Sequence, residues 1–242
     1  TGGMLQYDLF GNGITEFASL SIRAGQDYTF AYIRNELFQN ILLDIESEAL
    51  AQESRYSVLY LNGKYWGLYC LKEDFSKQFY ASHEGVSRES VESHRTFIED
   101  NPVFRQEVYG FCLENDLSKA ENYEELCRRL DIDAFIDWYI IEGYSANTDI
   151  RGNTRYFRSA ENGGRWKVAL FDLDWAMYYH KSAFNALSRG WCNAVYEQTP
   201  MLSSLMENET FRKKLIARYA ELIKGPLSNE SMLERIDLMA EK

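Results

Sequence analysis

The sequence predicts an α+β fold with its sheet early and its helices late, and three observations carry that expectation. An Asn62-Gly63 pair sits between two β-branched and aromatic runs in "RYSVLYLNGKYWGLYCLKE". Such a pair signals a hairpin, because a type I′ turn needs positive φ at both central residues. In "DIDAFIDWYIIEGYS", Ile132, Phe135, Ile136, Tyr139 and Ile140 recur at helical spacing. Further on, the apolar strand "RWKVALFDLDW" ends in two acids.

Taken in order, "EFASLSIRAG" (16–25) alternates through Phe17, Leu20 and Ile22 and reads as a short strand. "DYTFAYIRNELFQNILLDI" puts Phe30, Ile33, Leu37, Ile41 and Leu42 on one helical face, with Asp27 or Thr29 available as N-cap. The Asn-Gly hairpin comes next. Its aromatic ladder, Tyr60, Tyr65, Trp66 and Tyr69, reads as a packed cross-strand face rather than a carbohydrate platform. Residues 74 to about 130 turn helical and charged, with looser loops near "ASHEGVSRES". Asp131 is placed to cap the apolar helix, which ends near Gly143, and "NTDIRGNTRYFR" (147–158) follows at once. Then come a strand at "TRYFRS", a turn at "ENGG" and the acidic strand. From about 200 onward the pattern is one of packed helices, with a Gly-Pro stop after "ELIK".

Bulk properties narrow the function. A length of 242 residues is enough for one large domain or two small ones sharing an interface. A net charge of −11 cannot supply the basic face that a nucleic-acid partner needs, so an anionic ligand must be met by local cations or by metal ions bridged to carboxylates. No apolar run approaches the length of a membrane span. Cys70, Cys112, Cys127 and Cys192 lack zinc-site spacing and read as free thiols, and His83, His94 and His180 have no metal-ligand spacing. The chain opens mid-phrase without a visible leader, as expected of a domain cut from a longer protein.

The order of strand, helix, hairpin, helices, loop, hairpin and acidic strand end is that of a protein kinase. In that enzyme class a small lobe supplies a cation and a helix, and a helical lobe presents a catalytic loop and a metal-binding aspartate. The expected division is a partial small lobe at 1–73 and a helical lobe at 74–242, with a catalytic loop at 147–158 and a metal-binding strand end at 169–175. Asp149 is placed to orient an attacking hydroxyl, and Asn153, four residues later, offers a neutral oxygen to a metal. Asp172 and Asp174 flank Leu173, and strand alternation would send both carboxylates to one face. Asp-x-Asp also holds metal in glycosyltransferases and several hydrolases. Arg23 is a candidate phosphate cation with Glu36 as its partner, the alternative being that both are surface residues. Glu73, after the hairpin, is a candidate hinge residue near the nucleotide or a structural ion pair. No H-R-D, D-F-G or G-x-G-x-x-G occurs in the chain.

The segments "FASLSIRAGQDYTFAYIRNELFQNI", "VLYLNGKYWGLYCLKEDF", "FIDWYIIEGYSANTDIRGNTRYFR" and "WKVALFDLDWAM" resemble, in order, the CotH kinase family of spore-coat-protein-H-like proteins. The resemblance implies a protein-kinase-like fold and transfer of the ATP γ-phosphate to serine or threonine of a protein substrate, with Mg2+. It implies that Asp149 is the catalytic aspartate, Asn153 a magnesium ligand, and Asp172 the counterpart of the D-F-G aspartate with Asp174 beside it. The commonest family loop has two asparagines where this chain has Asn153 and Thr154. An extracellular, cell-surface or spore-coat location is implied as well. The competing expectation is a non-catalytic coat or cell-surface assembly module that kept the fold. With Arg23 as the only obvious small-lobe cation for the phosphates, and the family's glycine-containing hairpin and lysines not in view, weak nucleotide binding or none is expected of these 242 residues.

Overall fold

The computed structural model describes residues 3–24, 32–95, 101–147, 149–150, 152–177 and 201–241. Strands β1 (Leu5–Gln6) and β2 (Glu16–Phe17) form a small antiparallel pair. β3 (Leu20–Arg23), β4 (Ser54–Leu61) and β5 (Lys64–Glu73) form an antiparallel sheet in the order β3-β5-β4. The expected strand at 16–25 is thus two strands interrupted at Ala18-Ser19, because Phe17 turns into the interior while Ile22 lies on an open sheet face.

The hairpin forms at the expected place, with φ of 51° at Asn62 and 77° at Gly63. Its ladder pairs Tyr60 with Tyr65, whose rings meet edge to face at 5.9 Å. Tyr60, Tyr65 and Trp66 are nevertheless mostly exposed, so the packed half of the aromatic expectation fails. Register matters more for the site: Arg23 faces Cys70, and Ser21 faces Lys72. Since side chains alternate along a strand, Arg23, Cys70 and Lys72 share one face of the sheet.

Helix α1 (Arg34–Asp44) begins after Ile33 with no side-chain cap, so it is shorter than the sequence pattern suggested. Phe30 and the expected caps Asp27 and Thr29 lie outside the described residues. Its Leu37, Phe38, Ile41 and Leu42 enter the main core, together with Phe135, Ile136 and Trp138 of α6 (Ile132–Tyr144). Asp131 caps α6 by accepting from the Ala134 N–H at 3.1 Å. The helix on the near side of residue 73 therefore shares its apolar interior with helices on the far side.

Between them run α2 (Lys77–Glu84), a helix built of α3 (Pro102–Phe104), a π-helical stretch at Arg105–Gly110 and α4 (Phe111–Glu114), and α5 (Ala120–Arg129). A strand that the charged pattern concealed, β6 (Val91–Arg95), interrupts this helical region. It pairs with β7 (Arg155–Ser159), which pairs with β8 (Lys167–Ala169). Gly163 and Gly164 make the β7–β8 turn at positive φ of 94° and 72°, where a Cβ would be strained. Helices α7 (Met201–Leu205), α8 (Glu209–Lys224) and α9 (Asn229–Ala240) close the fold, α8 stopping at Gly225. Among the described residues no helix is long and apolar enough to cross a membrane.

Candidate active site

β8 stops at Ala169, and the acidic segment beyond it is irregular rather than strand. Helix α1 holds it in place. Gln39 Nε2 donates to the Leu170 carbonyl at 2.7 Å, and the Leu173 N–H donates to Asn35 Oδ1 at 3.1 Å. With Leu170 and Leu173 both fully buried, these bonds satisfy a backbone that the sheet no longer pairs. Asp172 then takes a left-handed conformation, φ 62°, which aspartate tolerates better than most residues. The expectation that strand alternation brings Asp172 and Asp174 together is therefore corrected: a backbone turn does it.

Both carboxylates meet one guanidinium. Arg23 Nη1 lies 2.9 Å from Asp172 Oδ1, and Nη2 lies 3.1 Å from Asp174 Oδ2. Burial works against the Arg23 charge, but the two aspartates outweigh it and raise the guanidinium pKa. The expected Arg23–Glu36 pair is not what forms. Glu36 Oε1 instead accepts from Lys72 Nζ at 2.9 Å and from Asn35 Nδ2 at 3.0 Å. The Lys72 and Glu36 side chains are only 4% and 6% exposed, so this is a desolvated pair. Burial alone would raise the Glu36 carboxyl, yet the Lys72 charge and the two hydrogen bonds hold it below its ordinary range.

Lys72 is the residue that sequence reasoning missed, and a signal for it existed. In "GLYCLKE" it stands in register with Cys70, which is buried, so the strand carries a charge toward the covered side, where it needs a partner. It is a second cation on the Arg23 face, matched there by the Glu36 carboxylate. Arg23, Glu36, Lys72 and Asp174 line one small cleft with Tyr56 and Cys70. Glu73 is not on it. Its carboxylate accepts from the Glu53 N–H at 3.0 Å and lies 3.0 Å from His83 Nε2, which anchors the end of β5 to α2.

Asp149 lies in the loop after α6. Burial raises its carboxyl pKa first, and the Asp172 charge raises it further, while a hydrogen bond from Asn153 opposes both. Asn153 Nδ2 donates to the Asp149 carbonyl at 2.9 Å and to Oδ2 at 3.1 Å, which leaves Asn153 Oδ1 as its acceptor atom. Thr154, at the position of the family's second asparagine, turns its hydroxyl back to the Ile150 carbonyl at 3.3 Å and is buried. The oxygens of Asp172, Asp174 and Asn153 are the hard donors that Mg2+ takes, and two of these residues already converge on one cationic group. Among the described residues no group of three or more His, Cys, Asp or Glu side chains is placed to hold a metal ion. Cys70 and Cys112 are buried free thiols with pKa pushed up to about 12 by burial, Cys127 is also free, and Cys192 lies outside the described residues.

The family model described as CotH kinase protein matches residues 22–92 and 104–242, spanning both Arg23 and the Asp149–Asp174 region. No curated protein matches the chain. With the match extending over most of its length, the chain belongs to the CotH kinase protein family.

Proposed function

We propose that the chain is a protein kinase that transfers the γ-phosphate of ATP to serine or threonine of a protein substrate with Mg2+. The observation that carries this reading is the convergence of Arg23 on Asp172 and Asp174 beside the buried Lys72–Glu36 pair, within electrostatic reach of Asp149. In this reading residues 1–73 act as a small lobe and residues 74–242 as a larger helical lobe, with the cleft at their contact. Asp172 and Asp174, with Asn153 Oδ1, would hold Mg2+, whose chemical part when bound is to neutralise charge on the phosphates. Arg23 and Lys72 supply positive charge to the same phosphates. Glu36, accepting from the Lys72 ammonium, holds that side chain extended along the cleft.

Asp149 orients the acceptor hydroxyl. The hydroxyl oxygen bonds to the γ-phosphorus, the bond to the bridging oxygen of ADP breaks, and the hydroxyl proton passes to the Asp149 carboxylate. Its raised pKa suits it to take that proton. Asn153, bonded to Asp149 Oδ2, keeps the carboxylate from rotating. The family name points to a spore coat, and we place the protein substrates there or at a cell surface.

Incubation with γ-labelled ATP, Mg2+ and a serine- and threonine-rich acceptor protein tests the reading. Asp149→Asn should slow transfer by about 100- to 10,000-fold with nucleotide still bound. Asp172→Asn, which suits the left-handed backbone, should instead remove Mg2+-dependent nucleotide binding. Labelling that survives both substitutions refutes the assignment.

A further inference from the structure

The turn after α6 holds a carboxyl group that the proposed chemistry does not use. Glu142, in the last turn of that helix, is 1% exposed. Its Oε2 accepts from Asn147 Nδ2 at 2.8 Å, and the fully buried Asn147 in turn accepts the Asp149 N–H on Oδ1 at 3.1 Å. The Asn147 N–H donates to the Glu142 carbonyl at 3.3 Å, so the asparagine is gripped by both its backbone and its amide. A primary amide in this setting has a fixed sense, N–H toward the carboxyl and oxygen toward the backbone N–H. Reversing it would break both bonds.

The same turn reaches the acidic segment. Ser145 Oγ donates to the Glu142 carbonyl at 3.1 Å, and the Ser145 carbonyl accepts the Met177 N–H at 2.6 Å. Met177 lies three positions after Asp174. One short turn thus ties down the backbone of Asp149 on one side and the chain that follows Asp172 and Asp174 on the other. A buried carboxyl is costly to keep, and an apolar side chain would fill the same volume at less expense. What the carboxyl adds is an oriented acceptor for Asn147.

We propose that Glu142, acting through Asn147, is the positioning residue that sets the Asp149 carboxylate against the Asp172–Asp174 segment. The catalytic part of this proposal rests on the reading of Asp149 as the base; the geometric part does not. Misplacing a reacting group by about 1 Å costs on the order of 100-fold in rate. Glu142→Leu and Asn147→Ser should therefore lower kcat by about that factor with KM for ATP unchanged, since the nucleotide cations are elsewhere. Glu142→Gln keeps an acceptor for Asn147 Nδ2 and should restore most of kcat. The double variant Glu142→Leu/Asn147→Ser should cost no more than the worse single, because both break one chain of bonds.

Hydrogen exchange at the Asp149 amide supplies a readout independent of activity. Protection should fall in the Leu and Ser variants and persist in Glu142→Gln. Unchanged exchange and kcat in Glu142→Leu and Asn147→Ser overturn the proposal, as does a Glu142→Gln as impaired as Glu142→Leu. If Glu142→Leu fails to fold, Asn147→Ser, smaller and uncharged, decides alone. A wild-type protein that transfers no phosphate refutes the kinase reading, and the exchange pattern then still settles whether Glu142 positions Asp149.

Discussion

Glu142→Gln should stabilise the protein at neutral pH and leave it unchanged in acid. Burial pushes the Glu142 carboxyl up to about 8 from its ordinary 4.5; a hydrogen bond from Asn147 opposes the shift without cancelling it, and the Asp172 charge adds to it. The folded state therefore keeps a proton on Glu142 over a pH range in which the unfolded chain has released it. Stability falls with rising pH wherever the folded state holds more protons. The wild type should thus lose stability from about pH 4.5 upward to pH 8, at about 1.4 kcal/mol per unit for this one group. At pH 7 the accumulated penalty is about 3 kcal/mol. Glutamine, neutral throughout and still able to accept from Asn147, should escape it. Urea melts of both proteins at several pH values isolate the effect, because every other titrating group is common to the pair. The difference should be near zero at about pH 4 and grow through neutrality. A difference that stays flat across this range refutes the claim that Glu142 is buried as the neutral acid.

Three further substitutions test other parts of the reasoning. Lys72→Met strands the buried Glu36 charge and should cost about 3–5 kcal/mol in a urea melt, most of it recovered in Lys72→Met/Glu36→Leu; a cost below 1 kcal/mol would mean that the pair is hydrated. Arg23→Gln removes the guanidinium that Asp172 and Asp174 share. Free Mg2+ should then bind on the order of tenfold more tightly by calorimetry, and identical Mg2+ affinity removes these aspartates from the cation site. Gly63→Ala forces a Cβ onto a φ of 77° at the exposed hairpin tip and should lower stability by about 1 kcal/mol with phosphoryl transfer unchanged; a neutral result would mean that the turn relaxes.

What the sequence disclosed was what neighbouring residues decide among themselves. Asn62-Gly63, the Asp131 cap, the Gly163-Gly164 turn and the Gly225 stop are local chemistry, and each marks a boundary the fold has. The contact between Asp149 and Asn153 is local in the same way: four positions apart, they bond to each other. The missing parts are pairings at a distance. β6 reads as charged loop because its partner β7 begins 64 positions later, and only that ladder makes "VESHR" a strand. Lys72 and Glu36 are 36 positions apart, and the choice of Lys72 over Arg23 depends on the β3–β5 register. Asp172 was misread in conformation, left-handed rather than strand. Nothing in "ALFDLDW" says that Asn35 and Gln39 of α1 will take over from the sheet and let the backbone turn.

That register also explains why the two cations of the cleft are of different kinds. Lys72 sits two positions further along β5 than the residue opposite Arg23, with Ser21 as its own partner, and reaches Glu36. There it meets one carboxylate, which a compact ammonium matches and which Asn35 completes with a second hydrogen bond. Arg23 ends its strand and is about one-third exposed, facing two carboxylates on either side of Leu173. A point charge could sit close to one of them. A planar fork donates to both through different nitrogens and stays charged at any accessible pH. The arginine expected to pair with Glu36 thus takes a different position in the cleft, bridging the acidic segment, while Lys72 fills the buried pair. Exchanging the two would leave a fork with one carboxylate to bind and an ammonium with two to satisfy.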